Sequence, residues 1–259
     1  MSAAVGSTEL GRRSFLRRAA GVGLVVAVGG TVAEVWKPGK AAAYPWSGNL
    51  QQGSSGAQVV ELQIRVAGWA AGSASQTYVA IDGAFGPGTE SAVRRFQTAY
   101  GLGSNGVVAA STQSVLNSLE SADGSTAHFD FSEFTSHDGA GFGGGRVSTA
   151  QVQENVRRSM YKLEALRKKA GDRATTINSG FRSVAYNSTV PGSAPNSQHT
   201  YGIAADIAVS GLSTLSIYKI AETCGFSGLE AYTNSWQHCD SRIEHAYGAQ
   251  AWWWESGVA

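Results

Sequence analysis

A histidine and an aspartate in the stretch 197–207 could act together on one ligand. His199 and Asp206 lie seven positions apart, and Gly202 between them allows the chain to turn sharply. Asp206 is the single charge in the apolar run 204–209, which predicts a short buried strand. Because an ionised carboxylate in such a place needs a neutralising partner, a metal ion is the strongest candidate.

An imidazole nitrogen and a carboxylate oxygen are ordinary Zn²⁺ ligands, and a catalytic zinc site takes three ligands from the protein. The third must come from elsewhere in the chain. His238 is our candidate, and His245 is the competing one. On these residues alone, the simpler interpretation is that His199 and Asp206 form a hydrogen-bonded pair in the core.

Length and charge limit the classes of protein to be considered. The chain has 259 residues, which is enough for one large domain or two smaller ones. Only 15% of them are charged and 33 are glycine, which is typical of a loop-rich extracellular protein. Residues 1–43 hold six Lys/Arg and two Asp/Glu, so the remainder holds 14 basic and 17 acidic residues, a net charge of −3. We therefore expect no nucleic-acid partner.

The two cysteines, Cys224 and Cys239, are too few for a disulfide scaffold or a cysteine-rich zinc site. In an exported protein they could form one disulfide, and two buried free thiols are the alternative.

The first 43 residues resemble a twin-arginine export signal. Arginine pairs at 12–13 and 17–18 precede an apolar run that continues to about residue 35, and an alanine-rich stretch follows at 41–43. The apolar run is short and rich in glycine, so we expect no stable membrane anchor. This segment predicts a protein that is secreted to the cell wall through the twin-arginine route.

Residues 44–119 predict a small helical domain. Apolar residues recur at helical spacing in three short segments, at about 59–66, 89–97 and 112–116. A polar link of small residues follows at 120–128, and the pattern changes at residue 129.

A turn motif occurs twice in the helical domain. Asp-Gly at 82–83 is echoed by Asn-Gly at 105–106, and seven positions after the Asp or Asn comes a threonine, Thr89 or Thr112. We expect each threonine to cap the next helix. With its Leu-Gln and Ala-Val-x-x-Phe-Gln helices, the repeat resembles the peptidoglycan-binding domain of the PG-binding-1 type. The resemblance implies a three-helix wall-binding module, in which the turn 82–85 is our candidate for wall contact.

The C-terminal segment 129–259 mixes helices and strands. Its longest helix is predicted at Thr149 to Lys169, with a solvated basic end at 167–169. A strand enters a loop at about 176–187, and a helix at 213–224 precedes the strand that carries His238. We expect an α+β fold.

Three ordered blocks give this segment a specific resemblance. They are Ser-Gly-Phe-Arg-Ser at 179–183, Ser-x-His-x-x-Gly-x-Ala-x-Asp-Ile at 197–207, and His-x-Asp-x-Arg at 238–242. Together they resemble the zinc D-Ala-D-Ala carboxypeptidase family, which is related to vancomycin-resistance dipeptidases, phage endopeptidases and the hedgehog signalling domain. The resemblance implies an α+β peptidase domain with a central antiparallel sheet.

The same resemblance implies the roles of individual residues. One Zn²⁺ would be held by His199, Asp206 and His238, with a water in the open fourth position. Arg182 would bind substrate and stabilise the oxyanion of the tetrahedral intermediate. Ser197 would be a hydrogen-bonding partner in the first turn and contact the substrate, and a plain loop serine is the alternative.

The general base departs from the family pattern. Many members place Glu or Asp three positions before the last zinc histidine, where this chain has Ser235. Asp240 is our candidate, because residues two apart on a strand face the same side and would both look into the cleft. Asp240 and His238 could also exchange roles, and Glu230 and Glu244 are weaker alternatives.

The sequence thus predicts a secreted, monomeric zinc metallopeptidase that cuts peptidoglycan stem peptides and binds the glycan wall. It would be a D-Ala-D-Ala carboxypeptidase or an endopeptidase. The alternative is a non-catalytic, zinc-containing, hedgehog-like wall-binding protein, which Ser235 favours. The tryptophans at 252–254 would pack over the core or form an aromatic patch that faces carbohydrate or a membrane.

Overall fold

The structure, a computed structural model, describes residues 43–232 and 235–245 and the backbone of residues 252–254. The predicted export signal lies outside the described residues except for Ala43. Among the described helices, none is both long enough and apolar enough to cross a bilayer.

The described part contains six α-helices and five β-strands. The helices are α1 (Ala57–Val66), α2 (Pro87–Ala99), α3 (Ala110–Ser118), α4 (Thr149–Lys169), α5 (Val184–Asn187) and α6 (Thr214–Ala221). The strands are β1 (Thr175–Ser179), β2 (Ala204–Val209), β3 (Gly228–Ala231), β4 (Gln237–Asp240) and β5 (Trp252–Trp254). The predicted mixture of helix and strand is confirmed.

The N-terminal module is built on α1, α2 and α3, as the repeat predicts. Each helix turns its apolar stripe inward, and the resulting core includes Val59, Leu62, Phe96 and Leu116, all with no exposed surface. The candidate wall-contact turn contributes to this core, since Phe85 is only 2% exposed. Of residues 82–85, only Asp82 and Ala84 are exposed.

The expectation that Thr89 and Thr112 cap helices is wrong. Each lies inside its helix, and the N-cap residues Gly86 and Ala109 make no side-chain cap bond. The threonines instead accept hydrogen bonds from buried glutamines: Gln63 Nε2 lies 3.2 Å from Thr89 Oγ1, and Gln97 Nε2 lies 3.1 Å from Thr112 Oγ1.

Each glutamine ties a turn to the next helix and forms a closed polar cluster. The first glutamine cluster comprises Gln63, Asp82, Gly83, Ala84 and Thr89, and the second comprises Gln97, Asn105, Gly106, Val107 and Thr112. In both, the amide nitrogen donates to a carbonyl, a hydroxyl and the Asp or Asn side chain. The amide oxygen accepts from two backbone N–H groups in the first cluster and from one in the second. The repeat seen in the sequence is therefore a repeated hydrogen-bond arrangement.

The C-terminal domain packs helices on one sheet of order β1-β2-β4-β3-β5. The first four strands are antiparallel, as predicted, and β5 adds a parallel edge beside β3. The predicted bounds of α4 are confirmed, and its buried stripe of Val152, Val156, Met160, Leu163 and Leu166 joins the core of the domain.

The module and the C-terminal domain are packed together through α1 and α4. Arg157 of α4 donates to both carboxylate oxygens of Glu61 at 3.0 and 2.9 Å. The Cα of Gly68 comes so close that a Cβ there would lie 2.5 Å from Ala165 Cβ. The predicted link at 120–128 also contacts α4, because the His128 backbone N–H donates to Glu164 Oε1 at 2.9 Å.

The prediction of a solvated basic end for α4 is wrong for Lys169. Lys169 Nζ donates to the carbonyls of Gly68 and Thr223 at 3.1 and 2.8 Å. It therefore joins the module to the end of α6, a contact between distant parts of the chain that helical periodicity does not reveal.

Candidate metal centre

Three ionisable side chains lie in one row across the sheet. Asp206 of β2 is directly opposite His238 of β4, and His238 is directly opposite Glu230 of β3. Because direct neighbours on adjacent strands point to the same face, this face carries two carboxylates on either side of an imidazole.

A tight turn brings His199 to the same row. The 3₁₀ turn Gln198–Tyr201 ends at Gly202, whose φ of 75° lies in the left-handed region that glycine adopts without strain. A Cβ at Gly202 would also lie 2.9 Å from Val152 atoms of α4. The turn places His199 Nε2 3.3 Å from Asp206 Oδ1.

The hydrogen bonds around the two imidazoles leave their inner nitrogens as acceptors. His199 Nδ1 donates to the Gly180 carbonyl at 2.6 Å, so its Nε2 faces Asp206 with a lone pair. His238 Nε2 lies 3.1 Å from Asp240 Oδ2 and, when it donates a hydrogen bond there, neutral His238 leaves Nδ1 as an acceptor that faces Asp206 Oδ1 at 2.9 Å. Three acceptor atoms therefore converge and require a proton or a cation between them.

The pKa shifts in this cluster show the same requirement. Burial would raise the pKa of Asp206, yet the two histidines beside it lower that pKa well below its ordinary value. Burial opposes the charge of His238, but its hydrogen bonds to Asp206 and Asp240 raise its pKa to about 9. Burial lowers the pKa of His199. The cluster thus favours a positive charge at the place where the three acceptors meet.

The donor set fits zinc. One ligand atom from each of His199, Asp206 and His238 lies within 4.8 Å of the others, and all three residues are buried. Among the described residues, no other group of three His, Cys, Asp or Glu side chains has such an arrangement. Two imidazoles and one carboxylate form a ligand set used by catalytic zinc sites.

Arg182 completes the charge balance from the loop after β1. Its Nη2 donates to Asp206 Oδ2 at 2.7 Å and its Nε donates to Ser179 Oγ at 2.9 Å. These bonds hold the guanidinium beside the outer oxygen of Asp206, which leaves the inner oxygen to the two histidines. Within the described residues, Arg182 Nη1 has no hydrogen-bond partner.

Comparison with known proteins agrees with this geometry. The peptidase M15 family matches residues 127–240, which contain the whole cluster, and a putative peptidoglycan-binding domain matches residues 55–116. The zinc D-Ala-D-Ala carboxypeptidase of Streptomyces albus G is 42% identical over 184 residues, which cover 71% of this chain and 70% of that protein. The chain belongs to the peptidase M15 family.

Asp240 occupies a different position in this M15 peptidase from the one expected of a general base. It faces His238, as the strand geometry predicts, but its side chain is fully buried rather than open to the cleft. Arg242 donates to both of its oxygens through Nε at 2.9 and 3.0 Å, and also through Nη2. Burial opposes the charge of Asp240, but Arg242 and His238 lower its pKa well below the ordinary value. A carboxylate held in this way orients His238.

Space for Asp240 comes from a neighbouring strand. Gly228 of β3 is paired directly with Asp240, and a Cβ there would lie 2.1 Å from Asp240 Oδ2. Sequence reasoning did not single out Gly228, although a glycine inside a strand is a sign of close approach by another group.

The other predicted site residues lie around the cluster or outside it. Ser197 begins the 3₁₀ turn, but its hydroxyl makes no cap bond. His245 is not part of the cluster, and burial together with Lys162 and Arg158 lowers its pKa to about 4. Glu244 pairs with the buried Lys162 rather than with the cluster.

The two cysteines form no disulfide within the described structure. Cys224 and Cys239 are both buried free thiols, which was the second of the two expectations. Burial raises the pKa of each thiol, so neither is an activated nucleophile.

Proposed function

We propose that this M15 peptidase is a zinc metallopeptidase that hydrolyses the D-Ala-D-Ala end of peptidoglycan stem peptides. The observation that carries the proposal is the convergence of three acceptor atoms, from His199, Asp206 and His238, on one buried point. The activity of the 42% identical Streptomyces albus G relative, as its name states it, supports the choice of substrate.

His199, Asp206 and His238 would hold the zinc ion. When bound, zinc would polarise the scissile carbonyl and lower the pKa of a water molecule. The protein supplies the orientation of its ligands, since Gly180 and Asp240 each accept the outward N–H of one histidine.

Arg182 would bind the substrate through the guanidinium nitrogen that the protein leaves unused. Its Nε and Nη2 are fixed by Ser179 and Asp206, so Nη1 is presented in a defined direction beside the metal ligands. A guanidinium donor there suits the substrate carboxylate or the oxyanion that forms during hydrolysis. We retain Ser197, a half-buried residue at the start of the His199 turn, as a further substrate contact.

Glu230 is our proposal for the proton acceptor, in place of Asp240. It is the direct neighbour of His238 on the row that carries Asp206, and it is 8% exposed, whereas Asp240 has no exposed surface. Tyr232 forms a hydrogen bond with Glu230. Burial and this hydrogen bond raise the pKa of Tyr232. Asp240 is then a positioning residue that holds the His238 imidazole.

The N-terminal module would bring the catalytic domain to its polymer. We propose a wall-binding module at 44–119, a link at 120–128, and the peptidase domain at 129–259, acting as a monomer on glycan and stem peptide. The peptidoglycan-binding match and the carboxypeptidase relative support an extracytoplasmic location. Export through the twin-arginine route rests on the arginine pairs in residues 1–43.

The non-catalytic alternative depends on Ser235, which stands where many relatives have an acid. Glu230 weakens that alternative, because the neighbouring strand supplies a carboxylate to the same face of the sheet.

The test is to load the purified protein with zinc and incubate it with stem peptides that end in D-Ala-D-Ala. We expect one bound zinc per chain and release of free D-Ala, measured by mass spectrometry. His199→Ala should bind zinc poorly and release D-Ala only at the background rate. Stoichiometric zinc without any product would favour the wall-binding alternative, and absence of zinc binding would reject the metallopeptidase.

A further inference from the structure

A cleft lies beside the loop that connects Arg182 to His199. It has a volume of about 490 Å³ and is lined by Arg146, Val184, Asn187, Pro191, Ser193 and Pro195, among others. The Arg146 backbone N–H donates to the Thr200 carbonyl at 2.9 Å, directly after His199. The walls of the cleft are therefore continuous with the two segments that carry the candidate metal centre and its arginine.

Asn187 offers this cleft an unused acceptor. The residue is 2% exposed, and its Nδ2 donates to the Ala194 carbonyl at 3.0 Å. Its Oδ1 is buried and accepts no hydrogen bond from the described residues. The loop holds the backbone of the residue in place. The Asn187 backbone N–H donates to the Ser183 carbonyl at 2.8 Å, and the Asn187 backbone carbonyl accepts from Ser193 Oγ at 2.6 Å. A buried side-chain oxygen that is held in place without a hydrogen-bond donor is unfavourable unless a ligand supplies the donor.

Arg146 offers the same cleft a positive charge. Its Nη2 donates to the Pro195 carbonyl at 2.6 Å, and no carboxylate of the described residues pairs with it. The remaining guanidinium donors can therefore bind an anion. A cation and an unpaired acceptor on the walls of one cleft suit a ligand that carries a carboxylate and an ammonium group.

We propose that this cleft binds the free α-amino-acid end of a substrate side chain. Arg146 binds the carboxylate and Asn187 Oδ1 accepts a hydrogen bond from the ammonium group. The inference rests on the proposed function and narrows its substrate: the preferred stem peptide carries a diamino dicarboxylic acid, such as diaminopimelate, whose side chain ends in this group. A lysine side chain has the ammonium group but no carboxylate, so it cannot make the contact with Arg146.

The experiment compares two stem peptides that end in D-Ala-D-Ala and differ only in having diaminopimelate or lysine. For the zinc-loaded protein we expect kcat/KM to be about tenfold or more higher with diaminopimelate, the size of one charge-assisted contact. Arg146→Ala should remove this preference and leave the rate with the lysine peptide unchanged. Arg173→Ala is the matched control, because Arg173 is also exposed and also donates to a carbonyl, that of Ser210 at 3.1 Å.

Binding of the same peptides to metal-free protein, measured by calorimetry, gives a readout that does not need turnover. Tighter binding of the diaminopimelate peptide, lost in Arg146→Ala and kept in Arg173→Ala, would support the cleft even in a protein that cleaves neither peptide. Cleavage of both peptides with equal kcat/KM and equal affinity would overturn the inference and leave the proposed function intact. If neither peptide is cleaved, the proposed function fails separately.

Discussion

The two halves of the molecule each bury polar side chains, but they do so with opposite consequences. In the first glutamine cluster, the Gln63 amide nitrogen has three acceptors within 3.2 Å and its oxygen accepts from the N–H groups of Asp82 and Gly83. In the candidate metal centre, His199, Asp206 and His238 turn three acceptor atoms towards one another. One arrangement is complete without a ligand, and the other needs a proton or a cation.

The difference shows how a structural polar cluster can be told from a functional one. Burial is not the criterion, since Gln63 and His199 are both within 2% of full burial. What differs is whether donors and acceptors balance. A balanced cluster stabilises the fold, whereas an unbalanced one retains a place for charge.

The largest effect is expected from Glu230, the proposed proton acceptor, which lies on the same row of the sheet as the proposed metal ligands Asp206 and His238. Glu230→Gln keeps the shape of the side chain and removes its basicity, so kcat should fall by about 10²–10⁴-fold. Zinc binding should be unchanged, because Glu230 is not one of the three ligands. Steady-state kinetics at saturating zinc measures this, and full activity in the variant would remove Glu230 from the mechanism.

The balanced clusters should contribute to stability rather than to turnover. Gln63→Ala leaves several buried groups without partners and should lower the free energy of unfolding by about 2–4 kcal/mol. Gln97→Ala should have a similar effect, and kcat per folded molecule should stay at the wild-type value. Urea denaturation measures the loss, with the exposed Gln52→Ala as the control that should change little. An equal loss in the control would contradict the special role of the clusters.

Asp240 combines features of both clusters, since it is buried and fully hydrogen-bonded and also contacts His238, a proposed metal ligand. Asp240→Asn should weaken zinc binding by about 10–100-fold and leave kcat at saturating zinc within a few-fold of wild type. Gly228→Ala should act in the same direction, because its Cβ would displace the Asp240 carboxylate. Chelator competition measures the affinity. Loss of turnover in zinc-saturated Asp240→Asn would instead make Asp240 the general base.

The smallest expected effect is a difference between the two glutamine clusters in how stability depends on pH. Hydrogen bonds from the Ala84 N–H and from Gln63 lower the pKa of Asp82, whereas Asn105 in the second cluster does not titrate. A lowered carboxyl pKa stabilises the fold above the unfolded-state pKa of about 4, and this contribution is lost as the pH falls through the folded-state pKa. Asp82→Asn should therefore reduce the loss of stability between pH 5 and pH 3, measured by urea midpoints. An unchanged acid dependence would show that Asp82 contributes nothing to it.

Much of this architecture could be predicted from the residues in order along the chain. The bounds of α4 followed from apolar residues at three- and four-residue steps, and the turn at Gly202 followed from glycine beside a buried strand. The three motif blocks predicted which side chains the fold would bring together at Asp206. These features are local, or they repeat a pattern whose geometry is set by helix and strand periodicity.

Tertiary structure decided what each polar group meets. Periodicity placed Asp240 on the same face as His238, but only the packing of Gly228 and Arg242 around it sealed it from solvent. The same holds for Lys169, which looked like a solvated helix end and instead binds carbonyls from two distant segments. The reason is that sequence specifies the direction of a side chain along its own element, whereas solvation and pKa depend on neighbours that arrive from elsewhere in the chain.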